Sequence, residues 1–287
     1  MPENDFSFLT KDAIIIDSGI PGPSAMILGG IHGDEVSGVN IVKELMLHKP
    51  PIQKGKLLLM YGNLNAIRLG QRQTDENLNR MFLSDSEYSA DQMSSYEYSR
   101  SMEIKHYLDH VDILLDIHSV KDPNGTPFII CESNGGKIAQ YFPLPIRCSG
   151  FDTAHPGGTD GYMNSIKKTG ICIETGYHND PLSFERGMQC VLIFLKAIGL
   201  QSGLEDLERN ISQKALRVKY IYHNKNAPFT LSKNFRDFEE IPEGTSIAYD
   251  GNEPIISTEA ETILFARNRD TVGQEAFCFV EEDTEVI

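Results

Sequence analysis

The sequence predicts an α/β fold in which helices cover a mixed, mainly parallel sheet, followed by a small C-terminal all-β domain. Two observations predict it. Short runs rich in Ile, Val and Leu alternate with helix-like segments through the first 200 of the 287 residues. From about residue 214 the chain changes to short alternating strands separated by turn residues. Alternating strands and helices are typical of a parallel sheet, whereas consecutive short strands are typical of an antiparallel one.

Five continuous apolar runs predict the strands of the sheet, because strands covered on both faces show no polar alternation. In chain order they are 24–30 (SAMILGG), 55–63 (GKLLLMYGN), 111–119 (VDILLDIHS), 126–131 (TPFIIC) and 170–176 (GICIETG).

Three segments predict helices, at 36–48, at about 90–110 and at 181–200. The first carries apolar residues near one face and ends before Pro50 and Pro51, which cannot continue a helix. After a polar stretch at 201–213, turn signals such as PEG and DGN separate the short strands. The chain therefore divides into an α/β domain over 1–205 and a β-rich domain over 206–287.

The composition excludes several kinds of partner. The net charge is −15 without a basic stripe, whereas nucleic acid and anionic membranes bind clustered Lys and Arg. No run approaches the roughly 18 apolar residues of a membrane span, and residues 1–10 lack the features of a signal peptide. The five cysteines are dispersed without a CxxC pair, which is typical of reduced thiols. We expect a cytoplasmic protein that binds neither nucleic acid nor membranes.

His32 and Glu35 lie three residues apart in GGIHGDEVSG, directly after the first predicted strand. At a strand-to-helix turn, this spacing can present a nitrogen and an oxygen to one metal ion. Taken alone, the pattern favours an ordinary helix start, in which Glu35 complements the helix dipole beside a loop histidine.

His118 changes that interpretation, because it ends the apolar run VDILLDIHS. In open α/β sheets ligands bind at the carboxyl ends of strands. Two histidines and one glutamate leave a fourth position for water, which is the ligand set of a catalytic zinc site. Asp116 lies on the same side of this strand, where it either orients His118 through the other imidazole nitrogen or holds a neighbouring loop.

Other polar residues lie at comparable places. Glu174 in ICIETG ends another apolar run, where a carboxylate caps a helix, pairs with a loop arginine or serves as a general base. Arg68, Arg72 and Arg80 follow the run at 55–63. Such arginines either keep a loop soluble, or stabilise an oxyanion and bind a substrate carboxylate.

In this order, HGDE, NLNR at 77–80, DIHS and ETG resemble the motifs of the succinylglutamate desuccinylase and aspartoacylase family, relatives of the zinc carboxypeptidases. The resemblance covers about residues 24–190 by motif and the C-terminal part by general pattern. It implies a phosphorylase/hydrolase-like α/β/α sandwich with a mixed, mainly parallel sheet. It also implies that 1–205 form the catalytic domain and that the β-rich domain flanks the active-site entrance.

The resemblance implies a role for seven residues. One zinc ion (Zn2+) would be bound by His32, Glu35 and His118. The other four would act on the substrate: Glu174 as the general base, Arg72 on the scissile carbonyl, and Asn79 with Arg80 on the substrate's carboxylate. We expect the loop histidines His155 and His178 not to be ligands, because the three-ligand set suffices.

These roles predict hydrolysis of the amide bond of a small N-acyl amino acid or a similar carboxylate-bearing substrate. A zinc carboxypeptidase-type metallopeptidase acting on short peptides is the nearest alternative, and a β domain that narrows the entrance favours small substrates over it. A non-catalytic metal-binding or scaffold protein is the alternative of a different class. Structural zinc normally has four protein ligands, often cysteines, and no cysteine lies beside these motifs. The acyl group and the oligomeric state, including a homo-oligomer, stay open.

Overall fold

The computed structural model describes residues 12–284. The expectation for residues 1–10 lies outside the described residues, as do the last three residues of the predicted β-rich domain. The strands are β1 (Ala13–Asp17), β2 (Ser24–Gly29), β3 (Lys56–Tyr61), β4 (Ile113–Val120), β5 (Phe128–Ile130), β6 (Ile146–Ser149), β7 (Thr169–Tyr177), β8 (Lys214–His223), β9 (Phe229–Leu231), β10 (Glu239–Ile241), β11 (Ser246–Asp250), β12 (Glu253–Ile256), β13 (Glu261–Leu264) and β14 (Glu275–Glu282). The α-helices are α1 (Val36–Leu47), α2 (Leu64–Leu69), α3 (Ala90–Met93), α4 (Tyr96–Leu108), α5 (Ser133–Ala139), α6 (Phe151–Ala154), α7 (Thr159–Ser165) and α8 (Pro181–Ala197).

An 11-stranded sheet runs through these elements in the order β1-β3-β2-β4-β7-β5-β6-β8-β14-β13-β10. Its centre, β3-β2-β4-β7, is parallel, and β5-β6-β8 is parallel as well. The C-terminal strands β8, β14, β13 and β10 pair antiparallel. The prediction of an α/β fold with a large, mostly parallel sheet and a C-terminal β part is confirmed.

The C-terminal strands extend the main sheet, because β6 pairs with β8 across the predicted boundary at 205 and 206. A second sheet, β12-β11-β9, belongs only to the C-terminal part. Buried Phe229, Ile247 and Phe277 form a core cluster between the two sheets. The division into two domains stays a prediction.

Two hydrophobic clusters lie on opposite faces of the parallel strands. In β2, Ala25 and Ile27 belong to the cluster that α1 and α8 complete, while Met26 and Leu28 belong to the cluster that α4 completes. Successive side chains of a strand point to opposite faces, so a strand buried on both sides must be apolar throughout. That is why the continuous apolar runs located the central strands.

The structure differs from the expected elements in three respects. The helices α2, α5, α6 and α7 are not among the predicted ones. The single helix expected at about 90–110 is two helices, α3 and α4, because Ser89 and Ser95 each cap a new helix by accepting a hydrogen bond from the backbone. The strands β1 and β6 are not among the predicted ones. The five predicted strands correspond to β2, β3, β4, β5 and β7.

All five cysteines are buried and free. No helix within residues 12–284 is both long and apolar enough to cross a membrane.

Helix α1 packs unusually close to the sheet, through Gly38. A Cβ atom at this position would lie 2.4 Å from the backbone oxygen of Ile117 in β4. Alanine normally favours a helix over glycine by about 1 kcal/mol, but this contact is with backbone that cannot move aside. We expect Gly38→Ala to lower the free energy of unfolding by about 2 kcal/mol or more, measured by urea denaturation.

Gly136→Ala in α5 is the matched control, because its Cβ would meet only the flexible guanidinium of Arg147, at 3.3 Å. It should be neutral or stabilising. A stable Gly38→Ala variant would contradict the close packing of α1.

Candidate active site

The carboxyl ends of three adjacent parallel strands bring the predicted residues together. His32 and Glu35 follow β2, His118 lies near the end of β4, and Glu174 lies near the end of β7. In the register between β4 and β7, His118 and Glu174 are direct neighbours. All four side chains are buried. The sheet therefore places them at one edge, as the strand-end rule predicts.

His32, Glu35 and His118 form one cluster, in which one donor atom of each lies within 4.8 Å of the others. His32 Nδ1 lies 2.6 Å from Glu35 Oε1, and His118 Nδ1 lies 2.9 Å from Glu35 Oε2. Imidazole nitrogen and carboxylate oxygen are donors that zinc prefers. The same atom, Nδ1, of each histidine faces the carboxylate, so a single position between them is reachable by all three side chains.

The other nitrogen of each imidazole faces an oxygen. His32 Nε2 lies 2.9 Å from Asn77 Oδ1 in a hydrogen bond. His118 Nε2 lies 3.1 Å from Asp116 Oδ2, although the angle does not make a hydrogen bond. Asp116 Oδ2 also accepts a hydrogen bond from the Thr159 hydroxyl, at 2.5 Å. Metal-binding histidines characteristically have such an oxygen behind them, so the residues present fit a metal ion.

Glu35 is not engaged as an ordinary helix cap. It is the N-cap residue of α1, yet its side chain makes no capping hydrogen bond. Glu35 and His32 are close because residues 32–35 form a turn, in which the Glu35 backbone N–H donates to the His32 carbonyl at 3.2 Å. The proximity expected from helical spacing therefore arises just before the helix begins. This removes the interpretation of Glu35 as a dipole-complementing residue in the first turn.

The charges of the cluster are strongly coupled. Burial opposes the ionised form of Glu35, but His32 and His118 hold its pKa well below the usual value. Burial likewise opposes the protonated form of His118, but Asp116 and Glu35 raise its pKa well above the usual value. At His32, burial has a larger effect than the negative charge of Glu35 and lowers the pKa of the imidazole to about 4. Glu35 is thus ionised and His32 neutral, which are the forms that bind a metal, whereas His118 holds a proton that a metal ion would have to displace.

Glu174 is buried beside this cluster without being part of it. Burial and the charge of Glu35 raise the pKa of Glu174 to about 8. Its Oε2 atom is buried and has no hydrogen-bond partner among the described residues. A buried polar atom without a protein partner is a position for a water or a ligand atom. Glu174 can therefore exchange a proton with a molecule in this site near neutral pH.

The loop from residue 72 to 80 forms the opposite wall. Arg72 Nη1 donates to Glu35 Oε1, at 3.2 Å. Asn79 Oδ1 is buried and has no hydrogen-bond partner within residues 12–284. Arg80 donates through Nη1 to the Asn79 carbonyl, at 2.7 Å. Arg68 is instead exposed, contacts Asn65 at 3.3 Å and does not line the site.

Glu97, in the first turn of α4, holds this loop in place. Its carboxylate is fully buried and accepts hydrogen bonds from the backbone N–H and hydroxyl of Thr74, at 2.8 and 2.6 Å. It also accepts from the backbone N–H of Asp75 and of Glu76, at 3.2 and 3.1 Å, and from Asn63 Nδ2, at 2.8 Å. Burial raises the pKa of Glu97, but these hydrogen bonds outweigh it and lower the pKa below the usual value.

The site opens into a cavity of about 870 Å³, to which the C-terminal part contributes a wall. His223, Arg267, Arg269 and Glu275 line it from that side. The segment at 152–161 contributes as well, through His155, Gly158 and Asp160. His178 does not line the cavity, and its Nδ1 is 2.8 Å from Ser119 Oγ. Neither His155 nor His178 belongs to the cluster of His32, Glu35 and His118.

Comparison with known proteins identifies the family of the chain. The model of the succinylglutamate desuccinylase/aspartoacylase catalytic domain matches residues 21–195, which include the strand ends and the loop. The chain belongs to this family.

Named relatives of the family match the chain to different extents. A Nostoc sp. protein named "Probable aspartoacylase" is 31% identical over 163 residues, which cover 52% of this chain and 54% of that protein. The aspartoacylase of Rattus norvegicus is 29% identical over 167 residues, which cover 52% of this chain and 53% of that protein. This chain thus spans about half the length of these curated relatives. The succinylglutamate desuccinylase of Shewanella baltica is 23% identical over 308 residues, which cover 94% of this chain and 89% of that protein.

Solved structures of the family share the fold. The succinylglutamate desuccinylase of Vibrio cholerae superposes with a TM-score of 0.77 at 17% identity, covering 94% of this chain and 85% of that one. The desuccinylase of Vibrio parahaemolyticus gives a TM-score of 0.76 at 16% identity, covering 94% and 86%. The likeness includes the C-terminal strands as well as the domain matched by the family model.

Several residues of this family member's site were not found from the sequence. Asn77, Glu97, Glu275, Arg267 and Arg269 all face the cluster, the loop or the cavity. For Asn77, the signal was present in NLNR itself. The others lie far along the chain from the residues they contact, which no local pattern reveals. None of Tyr220, Tyr222 and Tyr249 lines the cavity.

Replacing Glu97 by glutamine tests the anchoring of the loop. The amide group would place N–H donors among the donors of Thr74, Asp75, Glu76 and Asn63, so that buried groups lose their acceptor. We expect Glu97→Gln to lower the free energy of unfolding by about 2 to 3 kcal/mol in urea denaturation. Amide hydrogen exchange at residues 74–76 should accelerate.

Glu103→Gln is the control on the same helix, because Glu103 is half exposed and pairs with Arg100 at 2.6 Å. Its effect should stay within about 1 kcal/mol. Equal exchange rates at 74–76 in wild type and Glu97→Gln would show that Glu97 does not hold the loop.

Proposed function

We propose that this chain is a zinc-dependent amidohydrolase that removes the acyl group from a small N-acyl amino acid. One observation carries the proposal: two histidines and a glutamate converge in one cavity beside buried Glu174, whose Oε2 atom has no hydrogen-bond partner among the described residues. Membership of a family whose named members are aspartoacylases and succinylglutamate desuccinylases supports it. The arginines that line the cavity support a carboxylate-bearing substrate.

His32, Glu35 and His118 would hold the zinc ion through Nδ1, a carboxylate oxygen and Nδ1. Asn77 and Asp116 would keep the two imidazoles oriented by facing their other nitrogens. Zinc at this position would supply a Lewis acid that activates water and polarises a carbonyl group.

Glu174 would act as the general base and then as the general acid. Its carboxylate would take a proton from the attacking water, and its carboxyl would deliver that proton to the leaving amine. A raised pKa suits both steps, because the group must hold and release a proton near neutral pH. Its place in β7, next to His118 in β4, keeps it adjacent to the ligands without joining them.

Arg72 would donate hydrogen bonds to the scissile carbonyl oxygen as negative charge develops there. It already donates to Glu35 Oε1 and therefore lies at the cluster. Asn79 and Arg80 would bind the carboxylate of the substrate from the far end of the same loop. Anchoring of that loop by Glu97 would keep these contacts in register.

A wall from the C-terminal part supports a small substrate over a long peptide, because Arg267, Arg269 and Glu275 close one side of the cavity. The five free cysteines fit a reducing compartment, and we therefore propose a cytoplasmic location.

Zinc binding is tested first. Wild-type protein should bind zinc, and His118→Ala should weaken that binding by more than about 100-fold. Loss of a metal ligand should weaken zinc binding at least as much as loss of a group that only orients a ligand. Competition with a chelating dye measures the affinity. His48→Ala, at a side chain that is 74% exposed, is the control and should bind like wild type. Wild-type protein that takes up no zinc would refute the metalloenzyme proposal.

The reaction is tested by release of free amine from a panel of N-acyl amino acids and short peptides. We expect the wild type to hydrolyse an N-acyl amino acid in preference to peptides. On that substrate, Glu174→Gln should keep zinc and lose about 10²- to 10⁴-fold in kcat, since it removes the proton acceptor.

Glu185→Gln, at an exposed position on α8, should leave kcat unchanged. Full activity of Glu174→Gln would show that another group is the base. Preference for peptides would favour the carboxypeptidase-type activity instead.

A further inference from the structure

Arg80, the residue proposed to bind the substrate's carboxylate, already faces a carboxylate of the chain itself. Arg80 Nη2 lies 3.4 Å from Glu275 Oε2 and 2.9 Å from His155 Nδ1. His155 Nδ1 in turn lies 2.7 Å from Glu275 Oε1. Glu275 thus bridges the arginine and the histidine with its two oxygens, much as a bound carboxylate would.

The position of Glu275 is fixed from several sides. Its backbone carbonyl accepts a hydrogen bond from Arg269 Nε, at 2.6 Å, and it begins β14, which pairs with β8. His155 stacks on Phe151 with ring centroids 5.5 Å apart, and its Nε2 lies 3.5 Å from Cys278 Sγ. Two residues of one strand therefore engage both nitrogens of His155. The contact with Arg80 is part of a built network and not a chance meeting of two surface side chains.

Both charged partners remain accessible from the cavity. The side chains of Arg80 and Glu275 are 34% and 32% exposed, and both line the cavity. Burial opposes ionisation of Glu275, but His155 and Arg80 lower its pKa to about 2, so it is charged at neutral pH. An incoming carboxylate would meet an arginine whose charge is already compensated. It would have to displace Glu275 or share the guanidinium with it.

We propose that Glu275 is a specificity-determining residue, an internal carboxylate that competes with the substrate's carboxylate for Arg80. The inference rests on the proposed function in assigning Arg80 to that carboxylate. Partly exposed ion pairs are weak, so the competition adjusts affinity and does not block the site. Removing the charge of Glu275 therefore improves the binding of a carboxylate, whereas loss of a purely structural contact would not.

The test measures binding of two probes to the zinc-loaded chain. N-acetylglycine carries a carboxylate as its only charge, and N-acetylglycinamide is its neutral counterpart. Every protein in this test also carries Glu174→Gln, which limits turnover of the probe. Calorimetric titration gives the dissociation constant of each probe. Glu275→Gln and Glu275→Ala should each tighten N-acetylglycine binding about fivefold, in line with the loss of a partly exposed ion pair, and leave N-acetylglycinamide unchanged.

Glu281→Gln is the matched control, because Glu281 lies on the same strand and pairs with an arginine, Arg217, at 3.2 Å, but does not line the cavity. It should change neither constant. In an Arg80→Ala background, Glu275→Gln should no longer tighten N-acetylglycine binding.

The proposal is overturned if N-acetylglycine binds to Glu275→Gln and Glu275→Ala no more tightly than to the protein with Glu275 intact. It is also overturned if both probes bind more tightly by the same factor, or if N-acetylglycine binds to none of the variants. A gain that persists in the Arg80→Ala background would overturn it too. Failure of the proposed function is seen separately, as absence of zinc uptake or of amine release by the chain with Glu174 intact. The titrations require no turnover, so the two failures are distinguishable.

Discussion

The carboxylate of Glu35 is the acceptor on which the geometry of the site depends. His32 Nδ1 and Arg72 Nη1 approach one oxygen, and His118 Nδ1 and the backbone N–H of Ser119 approach the other, at 2.6 to 3.2 Å. A carboxylate buried in this way is costly unless donors surround it. These donors come from the turn after β2, the loop after α2 and the end of β4. The three segments must therefore meet, and they meet where a metal ion would also find its ligands.

Close packing between α1 and the sheet makes this meeting possible. Gly29 ends β2 and Gly38 lies in α1, and a Cβ on Gly29 would come within 2.4 Å of the Gly38 carbonyl oxygen. The absence of side chains lets the helix start directly over the strand ends, so that Glu35 reaches His118 on the neighbouring strand. Gly33 also allows close packing, because its Cβ would clash with the backbone of Ala66 in α2. The glycines of GGIHGDEVSG thus allow close packing of the backbone in addition to forming the turn.

What the sequence could predict follows from how local each signal is. Apolar runs located the five central strands, because burial on both faces leaves a continuous pattern in the chain itself. His118 and Glu174 were found for the same reason, as polar residues closing such runs. Glu97 reaches a loop more than 20 residues before it, and Glu275 reaches Arg80 across 195 positions. The first contact depends on how α4 lies beside the loop, and the second on how β14 joins the sheet. No local period of the sequence encodes either arrangement.

Electrostatics gives the C-terminal part a role in the site that its sequence alone did not indicate. In a chain of net charge −15, Arg72, Arg80, Arg267 and Arg269 collect around one cavity. Burial and the neighbouring charges of Arg267 and Arg72 lower the pKa of Arg269, so the gathering of cations carries a cost. Glu275 offsets part of that cost, because it lies beside Arg80 and its backbone carbonyl accepts from Arg269. Arg267 and Arg269 lie on the C-terminal wall of the cavity, which the residues at the ends of β2, β4 and β7 also line. An anionic group that entered the cavity would meet Arg267 and Arg269 on one side and the proposed catalytic residues on the other.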